Sequence, residues 1–132
     1  MPTRTAAQRR DEARTAFDAF FAECPSRKLL DRLSDKWVTL VLSALSGGER
    51  RYSDLARQIA GVSQKMLTQT LRVLERDGLV ARRLTAQVPV RVDYALTPLG
   101  ESLMPLVAAI KAWAEEHIED VESARERYDA TA

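Results

Sequence analysis

The side chains with the widest chemical range in this 132-residue chain are few and fall in two places. The only cysteine, Cys24, is followed by Pro25 and then by Arg27 and Lys28, and the only histidine, His117, lies in the run Glu115-Glu116-His117. One Cys and one His cannot make an internal disulfide or a usual zinc site of three or four Cys and His ligands, so no metal and no cofactor is expected. There is no Gly-rich phosphate loop, no His beside a nucleophile in a known arrangement, and no converging acid pair, so no enzyme is expected either. The second place is the stretch from Ser63 to Arg72, where Ser63, Gln64, Lys65, Thr68, Gln69 and Arg72 bring hydroxyls, amides and cations together. That set suits an extended polyanion with readable edges. Ser63 at a helix start can hold a phosphate, Gln can bond adenine twice, Arg can read guanine or clamp a phosphate, and the Thr methyl can meet a thymine methyl.

Such residues are useful only if an element presents them together. Ser63 can cap a helix running to about Asp77, with Leu67, Leu71 and Leu74 as its buried stripe. With Leu67 at zero on a helical wheel, Leu71 and Leu74 fall within about 40°, while Lys65, Thr68, Gln69, Arg72 and Arg76 fall between about 100° and 200°. One face packs and the other is free, with Arg76 near the exit expected to be structural. Before this helix, Tyr52 to Ile59 reads as a short helix capped by Ser53, with Gly61 and Val62 as a tight turn. After it, Gly78 suits the left-handed position beyond a helix end. The period then changes to two: residues 80–84 and 90–96 read as strands of a β-hairpin joined through residues 85–89.

Outside this group, residues 4–21 have Ala13, Phe17, Phe20 and Phe21 at helical spacing. Pro25 restarts the chain as a second short helix with Leu29, Leu30 and Leu33, and residues 35–45 are apolar almost all round, as in a buried central helix. Thr97-Pro98 supplies the cap and first residue of a long last helix with Leu103, Leu106, Val107, Ile110 and Trp113 on one side. Trp113 is expected in the core, and His117 at the surface. A small-ligand pocket between these outer helices and the central group would draw on Phe17, Phe20, Trp37 and Tyr52. No run reaches the roughly 18 apolar residues of a membrane span, and the N-terminus lacks a signal-peptide core, so a cytoplasmic location without membrane association is expected.

The charge total of +1 hides a strong segregation. Residues 49–91 carry nine basic against four acidic side chains, and residues 96–132 carry three basic against eight acidic, so +5 is followed by −5. An acidic last helix would be repelled by phosphate and should lie away from it.

Short helix, Gly turn, capped helix and hairpin is the order of a winged helix-turn-helix. The motifs Cys24-Pro25, Asp35-Lys36-Trp37, Arg51-Tyr52-Ser53-Asp54-Leu55, Val62 to Thr68, Leu74-Glu75-Arg76-Asp77-Gly78-Leu79-Val80 and Pro89 to Gly100 make the chain resemble the HxlR family of bacterial transcriptional regulators. The resemblance covers roughly residues 24–113. It implies a mainly α fold with a small β-hairpin wing, dimerising through its N- and C-terminal helices and binding double-stranded DNA. On this reading residues 1–132 form one domain: 1–23 a dimerisation helix, 24–97 the winged core and 98–128 a second dimerisation helix. The helix before Cys24 is longer than in many relatives and should add to dimerisation.

The DNA contacts expected are Ser63, Gln64, Lys65, Thr68, Gln69 and Arg72 on the recognition helix, with Arg82, Arg83 and Arg91 on the wing. A homodimer would call for a palindromic operator, its half-sites about 34 Å apart. Repression is the expected mode, because no segment stands apart to recruit polymerase. The resemblance also implies a switch, since several members use the cysteine of the Cys-Pro motif to sense quinones, aldehydes or oxidants. At a helix start the dipole favours a thiolate at Cys24, although a small buried residue would occupy the same place. A small-molecule or electrophile effector is thus expected. The rival function is a winged helix used for protein contact, which would favour an apolar or acidic face on the helix after Ser63.

Overall fold

The computed structural model describes residues 3–131, and of residues 19–23 only the backbone. The chain divides into two compact units, one ending at Lys36 and one beginning at Trp37.

The first unit holds α1 (Ala6–Glu23) and α2 (Pro25–Leu33). Helix α1 starts in a reciprocal cap: Gln8 N–H donates to Thr5 Oγ1 at 3.1 Å, and Thr5 N–H donates to Gln8 Oε1 at 2.8 Å. The expected apolar face of α1 is not seen as a packed one: Phe17 is 62% exposed, and the side chains of Phe20 and Phe21 lie outside the described residues. Helix α2 begins with Pro25 in the first turn after an extended Cys24, as the missing N–H of proline favours.

The second unit has the order α3 (Lys36–Leu45), β1 (Arg50–Arg51), α4 (Tyr52–Gln58), α5 (Gln64–Arg76), β2 (Val80–Thr85), β3 (Arg91–Leu96), α6 (Pro98–Thr131). Its core is built where the sequence stripes converge: Val41, Leu42 and Leu45 of α3, Leu55 of α4, and Leu67, Leu71 and Leu74 of α5 are almost wholly buried. Leucines at i, i+4 and i+7 give α5 one dry side.

Helices α4 and α5 are joined by a turn closed from Val62 N–H to the Ile59 carbonyl at 3.4 Å. Gly61 sits there at φ +80°, a conformation that a side chain would strain. Ser53 does not cap α4 as expected. Arg51 takes the cap position in an extended conformation with no side-chain capping bond, because its backbone is held in the sheet. Helix α5 does begin at its expected cap, with Met66 N–H donating to Ser63 Oγ at 3.1 Å. It ends in a paired closure, Gly78 N–H to the Glu75 carbonyl at 3.1 Å and Leu79 N–H to the Leu74 carbonyl at 3.0 Å.

The hairpin β2–β3 is antiparallel with Val80 opposite Leu96 and Thr85 opposite Arg91. It is not two-stranded, as the sequence suggests. β1 adds to the far edge of β3, Arg50 opposite Tyr94 and Arg51 opposite Asp93, giving the order β1-β3-β2. A two-residue strand is too short to show a period, and it forms because β3 has a free edge that needs backbone partners. Helix α6 is tied at its start to the turn between α5 and β2: Thr97 N–H donates to the Leu79 carbonyl at 3.0 Å, and Thr97 Oγ1 to the Gly78 carbonyl at 2.6 Å. Among the described residues no helix is long and apolar enough to cross a membrane.

Candidate nucleic-acid interface

Helix α5 presents its two faces as the wheel requires. Gln64, Lys65, Thr68, Gln69 and Arg72 together line one open groove of about 610 Å³. Lys65 and Arg72 are exposed and make no ion pair among the described residues, so their charge faces solvent undiminished. Ser63, also exposed, spends its hydroxyl on the Met66 N–H while its position marks the positive end of the helix. Five of the six expected contacts on this element therefore converge, and the sixth starts it. Arg76, expected to be structural, is exposed at the last turn of the helix and makes no ion pair among the described residues.

The three wing arginines are differently placed. Arg82 Nε lies 3.3 Å from Glu75 Oε2, Arg83 Nη2 lies 2.7 Å from Glu49 Oε1, and Arg91 Nε lies 2.9 Å from Asp93 Oδ2. Each cation already has a carboxylate. The Glu75 and Glu49 pairs are exposed enough that a phosphate can compete for the guanidinium. The third differs, because Asp93 is 2% exposed and holds Arg91 to the sheet by both oxygens, at 3.2 and 2.9 Å from Nε.

Between the wing and the start of α4 lies a cleft of about 360 Å³ lined by Arg51, Tyr52, Ser53, Gln87, Pro89, Val90, Arg91, Val92 and Tyr94. Tyr52 thus belongs to a wing cleft. Burial holds the Tyr94 hydroxyl above the ordinary phenol range, opposed by the nearby positive charge of Arg82, so it remains a neutral hydrogen-bonding group. Tyr52 also bonds to the recognition helix itself, its hydroxyl 3.1 Å from the Gln64 carbonyl and 3.0 Å from Thr68 Oγ1. Sequence reasoning missed Arg51 and this role of Tyr52, since a link across twelve to sixteen residues leaves no periodic signal.

Cys24, half-buried, stands at the entry to α2. The Ser26 and Arg27 backbone N–H groups favour the thiolate and hold the thiol below the ordinary cysteine range, slight burial working the other way. Of the five α6 side chains expected to seek a partner, Leu106, Ile110 and Trp113 are exposed in the single chain, continued by Val121, whereas Val107 is 2% exposed and belongs to the core of the chain itself, and Leu103 is half-buried. Trp113 is 56% exposed and therefore not core, and it stacks on His117 with ring centroids 4.6 Å apart.

Residues 32–122 match the family model described as HxlR-like helix-turn-helix. The chain is 45% identical over 107 residues to the HTH-type transcriptional regulator YtfH of Escherichia coli (strain K12), covering 81% of this chain and 85% of that protein. Among solved structures it resembles the transcriptional regulator ytfH from Salmonella typhimurium, with a TM-score of 0.73 at 45% identity over 81% of this chain and 96% of that one. It also resembles the redox regulator HypR in its reduced form, with a TM-score of 0.72 at 36% identity over 76% and 99% of the two chains. Fold and sequence thus agree with these relatives, and the chain belongs to the HxlR-like helix-turn-helix family of transcriptional regulators.

Proposed function

We propose that this regulator is a cytoplasmic homodimeric repressor whose α5 helices enter successive major grooves of a palindromic operator. The observation that carries this is the α5 face itself: two cations without carboxylate partners and three polar side chains share one open groove. A helix N-terminus and Ser63 approach the phosphates, Gln64, Lys65, Thr68 and Gln69 meet base edges, and Arg72 takes a phosphate or a base. The wing arginines Arg82 and Arg83 exchange Glu75 and Glu49 for phosphates on binding, while Arg91 stays with Asp93 and presents only its outer nitrogens.

Pairing of subunits runs through α6 and α1, residues 98–128 and 1–23, leaving residues 24–97 as the reading core. The exposed apolar stripe and the acidic charge of α6 both suit a surface turned to a second copy and away from DNA. Repression needs only occupancy, because a dimer seated over one DNA turn excludes other proteins from it. Cys24 is the proposed switch: an electrophile adduct, a sulfenic acid or a disulfide between two subunits would change the pairing of the dimer and release the operator. HypR, a solved relative in both reduced and oxidized forms, is described as a redox regulator, which supports this assignment. A small-molecule ligand remains the alternative effector.

The test is a DNA-retardation series across salt concentrations, with and without diamide. Operator binding should weaken steeply with salt, and Arg72→Ala should reduce the slope by about 0.9 if Arg72 holds a phosphate. Diamide should release wild type and spare Cys24→Ser. Equal release of both proteins removes the switch, and failure to retard any promoter fragment at low salt favours a protein-contact module.

A further inference from the structure

Tyr52 opens α4, yet its hydroxyl serves α5, lying 3.1 Å from the Gln64 carbonyl oxygen and 3.0 Å from Thr68 Oγ1. The direction of each bond follows from the supply of protons. A carbonyl only accepts, so the phenol proton goes to Gln64. The same carbonyl takes the helical N–H four residues on, that of Thr68 itself, which engages its second lone pair. A helical threonine ordinarily donates its hydroxyl back to the carbonyl four residues earlier. Here that oxygen is already engaged twice, so the Thr68 proton goes to the phenol oxygen. Thr68 keeps acceptor lone pairs and a methyl group but no free proton, in the groove it shares with Gln64, Lys65, Gln69 and Arg72.

We propose that Tyr52 is a specificity-determining positioning residue, which makes Thr68 an acceptor toward the bases and pins the first turn of α5 to the scaffold. This rests on α5 being the helix that reads DNA. An acceptor at this place matches the exocyclic amino group of adenine or cytosine, and the methyl group matches thymine. Guanine N7 and O6 meet no proton from Thr68 and are disfavoured there. The phenol lies outside the open groove and does its work through Thr68, while its ring lines the wing cleft.

The test is a base-preference profile over one operator half-site, measured at fixed salt for wild type, Tyr52→Phe, Thr68→Val and the double variant. Tyr52→Phe keeps the ring and removes only the hydroxyl. It should relax the preference at a single base pair of the half-site by about 3- to 10-fold, leave the salt slope unchanged, and add nothing to Thr68→Val. A uniform loss at every position, an unchanged profile, or additive effects of the two substitutions overturns the role of Tyr52 while leaving α5 as the reader. No DNA binding by wild type overturns α5 as the reader, and the role of Tyr52 with it.

Discussion

Asp93 carries a carboxylate at 2% exposure in the central strand of the wing sheet, and both of its oxygens are held by Arg91 Nε. Removing the guanidinium would leave a buried charge unpaired, so Arg91→Ala should destabilise the fold by about 2 kcal/mol. Arg83→Ala, which breaks an exposed pair with Glu49, should stay within about 0.5 kcal/mol. Urea melts of the two variants decide the matter, and equal midpoints would show that the Arg91–Asp93 pair is not structural. The pairing was legible in principle, because residues two apart on a strand share a face. Its depth was not, since burial of Asp93 depends on β1 arriving from elsewhere in the chain. At Cys24 the amide N–H groups of Ser26 and Arg27 favour the ionised form, so the thiolate appears at lower pH than in free cysteine. The rate of alkylation by iodoacetamide, which consumes thiolate, should rise with pH and reach half its plateau at a lower pH than for a free cysteine peptide measured alongside. A half-plateau at or above that of the peptide would remove the activation of this thiol.

Elements were legible wherever a period or a cap announced them. The leucine stripe and Ser63 place α5, and Thr97-Pro98 places the start of α6. The strand β1 and the true cap of α4 were hidden, because both are consequences of pairing with β3, whose partner lies some forty residues away. Gly100 shows the same dependence. It sits in the first turn of α6, where the backbone passes so close to Leu79 that an added Cβ would collide with the Leu79 carbonyl oxygen. That carbonyl is the one that receives the Thr97 N–H, so it is not free to move. Gly100→Ala should therefore cost about 2 kcal/mol, lowering the melting temperature by roughly 6–8 °C. A calorimetric midpoint within about 2 °C of wild type would show that the α6 entry relaxes easily.

Over the whole molecule, the +1 total conceals a basic reading segment and an acidic helix. On that helix Leu106, Ile110, Trp113 and Val121 remain exposed in the single chain, which is what a surface awaiting a second copy requires. If the proposed homodimer pairs through this face, Ile110→Glu should leave the protein as its 14.8 kDa monomer in sedimentation equilibrium and weaken operator binding by roughly tenfold or more. A variant that remains dimeric would place the pairing surface elsewhere. The sequence alone determined the order of helices, the winged helix-turn-helix class, the inward stripe and outward basic face of α5, and the family, because these rest on local spacing and on contiguous motifs. Only the tertiary structure decided the third strand, the neutralisation of Arg82 and Arg83 by Glu75 and Glu49, the depth at which Asp93 holds Arg91, the exposure of Trp113, and the bond from Tyr52 to Thr68. Those depend on which distant parts of the chain come within reach of one another, and no periodicity within a single element carries that information.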